Sequence, residues 1–206
     1  MTEAEARAWI LRTFGQDADT ALARYAELLR AEAPRQNLIS AATLDQIWSR
    51  HLADSAQLAV LAQDAPGLWV DVGSGAGLPG LVVAAVTERP VALVEPRRLR
   101  CEFLRKAATD LGAGDRIVVH ATKAQHVAGS APAAVISARA VASLPQLLSA
   151  ACHLGDRKTL WIVPKGRSAA QEVASAREAW HGVFHVKRSL TDPEAGIVMA
   201  SGVYRR

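Results

Sequence analysis

The 206 residues predict an α/β fold. It is a mostly parallel, seven-stranded sheet covered on both faces by helices, with an antiparallel hairpin at one edge and a helical extension in front. Three observations carry this. After Gly67, short apolar runs alternate with stretches of helical periodicity, which is βαβ repetition. The runs are apolar throughout instead of alternating, as strands buried on both faces require. The last two runs are joined by Thr191-Asp192-Pro193-Glu194-Ala195-Gly196 with no helix between them, a spacing that fits a hairpin.

In chain order, residues 1–66 read as the helical extension. Leu22, Tyr25, Ala26, Leu28 and Leu29 recur at 3.6-residue spacing, as do Leu44, Ile47 and Trp48 and then Leu52, Ser55 and Leu58, giving two or three packing helices. Pro34-Arg35-Gln36-Asn37-Leu38-Ile39-Ser40 holds a helix breaker among polar residues and reads as a loop. Residues 67–206 read as the sheet domain. Its strands fall at 68–70, 91–94, 116–120, 133–136, 159–163, 183–190 and 197–204, and its helices at 79–88, 97–111, 143–154 and 169–181. With no linker-like stretch or internal repeat, the two parts are expected to pack as one compact unit.

Half of the residues are hydrophobic and 21% charged, which excludes disorder, collagen and coiled coil. The longest uncharged stretch, 72–87, has 16 residues interrupted by four Gly and a Pro. A membrane helix needs about 20, so no span is expected. The acidic start Met-Thr-Glu-Ala-Glu-Ala-Arg is unlike a secretory signal, so the protein is expected to stay in the cytoplasm. Cys101 and Cys152 stand 51 positions apart, without CxxC or ligand-spaced His, so neither a disulfide framework nor a metal site is expected. The net charge of +4 divides unevenly, −4 over residues 1–90 and +8 over 91–206. A one-signed surface of this kind attracts polyanions, and nucleic acid is the natural candidate.

The strongest local signal is Asp71-Val72-Gly73-Ser74-Gly75-Ala76-Gly77-Leu78-Pro79-Gly80, placed after a strand and before a helix, where open α/β sheets bind ligands. Gly75, Gly77 and Gly80 satisfy the G-x-G-x-x-G pattern of dinucleotide sites. Two residues argue against a pyrophosphate. Pro79 removes an N–H where phosphates collect donors, and Asp71 brings negative charge. S-adenosylmethionine has no phosphate and carries an ammonium and a sulfonium, so it tolerates both. Glu95 ends the next strand 22 residues after Gly73, close to the spacing at which a carboxylate meets ribose hydroxyls, though it also suits a cap for the helix opening at Pro96. That helix carries Arg97, Arg98, Arg100, Arg105 and Lys106, either a phosphate-contacting surface or a solvated face.

Asn37-Leu38-Ile39-Ser40, Arg50-His51-Leu52-Ala53-Asp54-Ser55, the 71–80 loop, Arg139-Ala140-Val141-Ala142-Ser143-Leu144 and Pro164-Lys165-Gly166 follow one another in order. On these motifs the chain resembles the RsmG (GidB) small-subunit ribosomal RNA methyltransferases from about residue 35 onward. The resemblance implies a Rossmann-like class I S-adenosylmethionine-dependent methyltransferase fold. It also implies methyl transfer to N7 of one guanine of 16S rRNA, position 527 in the usual numbering, with the rRNA, the small ribosomal subunit or an assembly intermediate as partner. It places Gly73 and Leu78 on the cofactor and Ala124-Gln125 beside the adenine, although the family more often has Arg-Ala-Glu where this chain has Lys123-Ala124-Gln125.

The candidate cofactor set is therefore Asp71, Gly73, Gly75, Gly77, Leu78, Glu95, Ala124, Gln125 and Arg139. Arg139, at a strand mouth, can fork onto the cofactor carboxylate or an RNA phosphate, or pair a surface acid. The candidate RNA-contacting set is Asn37, His51, Arg97, Arg98 and Lys165, with Lys165 read as a phosphate or base contact. His51 has Asp54 at i+3, within hydrogen-bonding reach on a helix, a pair that is often merely structural. Guanine N7 already presents a lone pair, so no general base is expected, and Arg139, Lys165 and His51 are read as positioning groups. An NAD(P)-dependent oxidoreductase would need a catalytic Tyr/Lys or His arrangement, and only Tyr25 and Tyr204 are present. A noncatalytic RNA-binding module would have no use for a glycine loop at the ligand-binding edge of a sheet.

Overall fold

A computed structural model of the chain describes residues 1–128 and 131–206. The sheet contains β1 (Trp69–Val72), β2 (Val91–Val94), β3 (Ile117–His120), β4 (Ala133–Ser137), β5 (Gly155–Lys165), β6 (Trp180–Arg188) and β7 (Gly196–Arg205). Their order is β3-β2-β1-β4-β5-β7-β6. The first five are parallel, and β7 runs antiparallel to both β5 and β6. Chain order reverses between β1 and β4, and a crevice opens beyond their carboxyl ends, the place where such sheets bind ligands.

The helices are α1 (Glu3–Glu32), α2 (Asp54–Leu61), α3 (Gly80–Val86), α4 (Arg98–Asp110), α5 (Leu144–Ala151) and α6 (Ala169–Ala179). Strand side chains alternate between the two faces. Trp69, Val91, Leu93 and Ile162 share one core with α1 to α4, while Val70, Val72, Val94 and Trp161 share the other with α5 and α6. Ile10, Leu22 and Leu29 of α1 belong to the first of these cores, so residues 1–66 and the sheet bury common apolar surface.

The extension differs from the expected two or three helices. One 30-residue helix, opened by a capping box between Thr2 and Glu5, is kinked at Gly15 (φ 87°). After the 34–40 loop come a 3₁₀ segment, Ala41–Gln46, and a π-helical segment, Trp48–Ala53, which runs into α2. Five strands also exceed their sequence limits, β4 by one residue and β7 by one at each end. β1 includes Asp71 and Val72 because β2 and β4 pair with it from both sides. β5 begins at Gly155, and β6 begins at Trp180, cutting short the helix expected to reach 181 because Trp180 and His181 pair with Arg205 and Tyr204 of β7.

Candidate active site

β1 delivers the chain into the 73–79 turn, whose form depends on glycine. Gly73 sits at φ 69°, and a Cβ there would meet a methyl of Val141 at 2.5 Å. Gly75, at φ 55°, has nothing nearer than Arg100 Nη1 at 3.6 Å in the direction a Cβ would take, so that space remains open. It belongs to a cleft of about 380 Å³ lined by Leu38, Ile39, Gly73, Gly75, Leu78 and Arg139, among others.

The turn's N–H groups are already engaged. Gly73 and Ser74 donate to the Val94 carbonyl, at 2.8 and 3.1 Å, and Gly77 and Leu78 donate to the Ser74 carbonyl. Gly75 donates to Glu95 Oε2 at 3.0 Å and Gly80 to Asp71 Oδ2 at 3.2 Å. Phosphate sites at helix N-termini work through free N–H groups, so this loop does not suit a dinucleotide. A cleft of mixed apolar and polar lining without a phosphate nest fits a nucleoside that carries a sulfonium.

Five of the expected cofactor residues, Asp71, Gly77, Glu95, Ala124 and Gln125, do not line the cleft. Asp71 is fully buried; it accepts from Ser137 Oγ at 2.7 Å, and Ser137 Oγ in turn accepts from Trp69 Nε1 at 2.8 Å. Burial pushes its carboxyl up to about 6, a rise that these hydrogen bonds oppose. Asp71 braces the turn from beneath instead of meeting an ammonium group. Gly77 faces the protein, where a Cβ would collide with Leu81 and the Tyr25 hydroxyl. Tyr25, on α1, donates to the Ala76 carbonyl and so ties the extension to the loop. Sequence reasoning missed it because a tyrosine in a helical apolar stripe looks like ordinary core.

Glu95 is buried at the end of β2 and accepts from the N–H groups of Gly75 and Arg97, with Arg100 at 3.9 Å. It therefore joins β2 both to the glycine turn and to the residue that precedes α4. Ala124, buried, and Gln125, exposed, form a short turn after β3 and line neither this cleft nor the cavity beside it.

That second cavity, about 650 Å³, lies beyond the ends of β4 and β5 and shares His51, Arg139 and Ala140 with the cleft. Arg139 stands between the two. Its guanidinium donates to the Arg50 carbonyl at 3.2 Å and to His51 Nδ1 at 3.1 Å, and lies 3.5 Å from Asp54 Oδ2. Ala140, next to it, is held at φ 55°, a left-handed conformation that costs a non-glycine residue about 1–2 kcal/mol.

The expected His51–Asp54 bond is not made. His51 lies in the π-helical segment, where the wider turn splays i and i+3 apart. Its Nε2 instead meets Thr43 Oγ1 at 2.8 Å. Arginine only donates, so Nδ1 accepts and Nε2 carries the proton, which passes to Thr43 Oγ1 while that hydroxyl donates to the Ser40 carbonyl at 2.9 Å. Burial, followed by the charges of Arg139 and Arg50, pulls the His51 pKa down to about 4. Asp54 is a hub, accepting from Thr191 Oγ1 at 2.8 Å and Gln57 Nε2 at 3.0 Å as well as facing Arg139.

Lys165 lines the same cavity, but its ammonium is held by the Ala142 carbonyl and by Glu172 at 2.8 Å. Asn37, Arg97 and Arg98 line neither cavity. Asn37 is exposed and gives its carbonyl to Arg100, Arg97 is exposed at the start of α4, and Arg98 pairs with Glu102 at 2.7 Å. Among the described residues no His, Cys, Asp or Glu cluster could hold a metal ion, and no helix is long and apolar enough to cross a membrane.

The fold is shared with solved methyltransferases. The O-methyltransferase TomG from Streptomyces achromogenes, in complex with SAM, superimposes with a TM-score of 0.63 at 14% identity over 96% of both chains. The Bacillus cereus O-methyltransferase in complex with SAH gives 0.62 at 13% identity, over 94% of this chain and 96% of that one. Much nearer in sequence is the ribosomal RNA small subunit methyltransferase G of Rhizorhabdus wittichii, 46% identical over 100% of this chain and 95% of its own. The protein of the same name from Sphingopyxis alaskensis is 45% identical over 97% of this chain and 86% of its own. The pattern of the GidB family, rRNA small subunit methyltransferase G, matches residues 18–193. The chain belongs to that family.

Proposed function

We propose that this protein transfers a methyl group from S-adenosylmethionine to N7 of a guanine in 16S rRNA, at position 527, acting in the cytoplasm on the small ribosomal subunit or an assembly intermediate. The observation that carries this reading is the pairing of a cleft lacking a phosphate nest with a larger cavity lined by charged side chains, the two meeting at Arg139. S-adenosylmethionine supplies an electrophilic methyl on its sulfonium. Gly73, Gly75 and Leu78 would hold it, and Glu95 would act through the Gly75 N–H that it fixes.

The base offers a lone pair at N7, so the protein has no proton to remove. Its work is alignment and charge. Thr43 and Arg139 occupy both nitrogens of a neutral His51, which fixes Arg139 at the junction instead of leaving a base free. The methylated ring gains a positive charge, and Asp54 and Glu172 along the cavity offset it. Lys165, released from Glu172 or acting beside it, would steady the base or its phosphate.

The test is methylation of deproteinised 16S rRNA and of isolated small subunits with S-adenosylmethionine, followed by strand scission at N7-methylguanine. A single new scission at position 527 is expected. Methyl incorporation without N7-dependent scission would overturn the N7 assignment.

A further inference from the structure

The edge of the sheet away from the cofactor cleft carries a second basic surface. β6 is the outermost strand, and only Trp180 and Phe184 of its nine residues are buried. Its exposed residues include His185 and Lys187 on one face and Val186 and Arg188 on the other, with His181 and Val183 nearer its start, so the cations flank the open edge from both sides, and neither β6 nor β7 contains a carboxylate. Arg188 lies opposite Gly196, which lines the larger cavity, so the edge begins at the candidate substrate pocket. From there it runs away for about 30 Å, the length of a nine-residue strand.

Two features separate this edge from the basic helix α4. First, none of Arg157, Lys158, Lys187, Arg188, Arg205 and Arg206 forms an ion pair among the described residues, whereas two of the five basic residues at α4 do, Arg98 with Glu102 and Arg100 with Glu95. Second, the far end of the edge carries aromatic surface. The exposed Tyr204 ring lies stacked on His181, with centroids 4.7 Å apart and planes at 24°, and the Arg157 guanidinium lies 4.1 Å from the Tyr204 centroid. Unpaired cations beside stacked aromatic and guanidinium planes are what a single-stranded RNA recruits, the cations meeting phosphates and the planes meeting bases.

We propose that the outer surface of the β6–β7 hairpin is the docking track for single-stranded RNA flanking the target nucleotide, entered at Arg188 and ending on the Arg157–Tyr204–His181 stack. This deepens the rRNA reading above and rests on it. The partner is a nucleic acid strand because both features are needed together: an acidic protein would use the cations but leave the stack idle.

The experiment measures the anisotropy of a labelled single-stranded RNA 20-mer across a salt series, with calorimetry of S-adenosylmethionine as a parallel readout. Replacing Lys187, Arg188 and Arg205 together by Ala is expected to lower the slope of log K against log salt by about 2, at roughly 0.7 per lost phosphate contact. Replacing Arg97, Arg98 and Arg105 should lower it less. Tyr204→Leu is expected to weaken binding about fivefold or more while keeping the slope. Cofactor affinity should be unchanged in all three. A wild-type slope in the hairpin variant overturns the proposal, leaving these cations only to keep the edge from pairing with other chains. An unchanged affinity in Tyr204→Leu overturns the stacking end of the track. Failure of the unsubstituted protein to bind S-adenosylmethionine strikes at the methyl-transfer reading instead, and the RNA slopes still report on the surface.

Discussion

The cleft and the cavity that meet at Arg139 are built by opposite means. The cleft side is mostly backbone: one turn, its left-handed glycines, and N–H groups tied to Val94, Ser74 and Glu95. The cavity side is mostly side chains brought from four distant stretches, with Arg50, Arg139 and Lys165 each facing a carboxylate. A backbone-built site is rigid and depends on a few positions. A site of ion pairs offers charges that a polyanion can exchange into. The two halves should therefore fail differently when altered.

The largest effect is expected in the rigid half. Gly75→Val puts a branched side chain into the cleft and strains a residue at φ 55°. Calorimetry should show S-adenosylmethionine affinity reduced by about 100-fold, the upper range of 1–3 kcal/mol of overlap, while circular dichroism shows a folded protein. Undiminished affinity would reduce the glycine loop to a turn.

This difference also explains what could be read in the sequence. Strand β2 coincides with its apolar run, and the glycine turn stands where the pattern put it, because both are set by neighbouring residues. The sequence puts Asp71 and Gly77 on a ligand, whereas in the fold both face the protein interior. A carboxylate or glycine beside a ligand loop can face the ligand or the core, and only Ser137 and Tyr25, 66 and 52 positions away, decide which. The cavity side was legible mainly as motifs without partners. Thr43, Glu172 and Thr191 meet His51, Lys165 and Asp54 only after the chain has folded, so no local period announces them. The π-helical widening at Trp48–Ala53 broke the one contact that had been inferred from helix spacing, His51 to Asp54.

A smaller and more selective effect is expected at the junction. Arg139→Ala leaves His51 Nδ1 and the Asp54 carboxylate without their charged partner. Losing that alignment should lower kcat/KM for RNA by about 10- to 100-fold. If Arg139 serves the cavity, cofactor affinity will change by less than the activity does. An equal loss in both would move Arg139 into the cofactor half.

The smallest effect, and the one that most sharpens the contrast, concerns pH. His51 has a folded pKa of about 4 against an ordinary 6.5, because burial and two arginines disfavour its charged form. The unfolded chain takes up the proton first, so the stability His51 contributes is present above pH 6.5 and is lost as pH falls toward 4. Asp71 acts in the opposite sense. Its folded pKa of about 6 exceeds the ordinary 3.8, so its contribution is present below 3.8 and is lost as pH rises through 6. At neutral pH, then, His51 is uncharged with both nitrogens engaged, and it cannot act as a base that titrates near 6.5. Single-turnover methylation at saturating RNA and cofactor should be flat between about pH 6.5 and 8, without a limb at the ordinary histidine value. His51→Ala should act on binding, raising KM for RNA about fivefold through two lost hydrogen bonds, while His51→Asn, which retains an acceptor toward Arg139, should recover part of that loss. A limb near pH 6.5 that vanishes in His51→Ala would establish a proton-transfer step and make the cavity a site of acid–base chemistry instead of alignment.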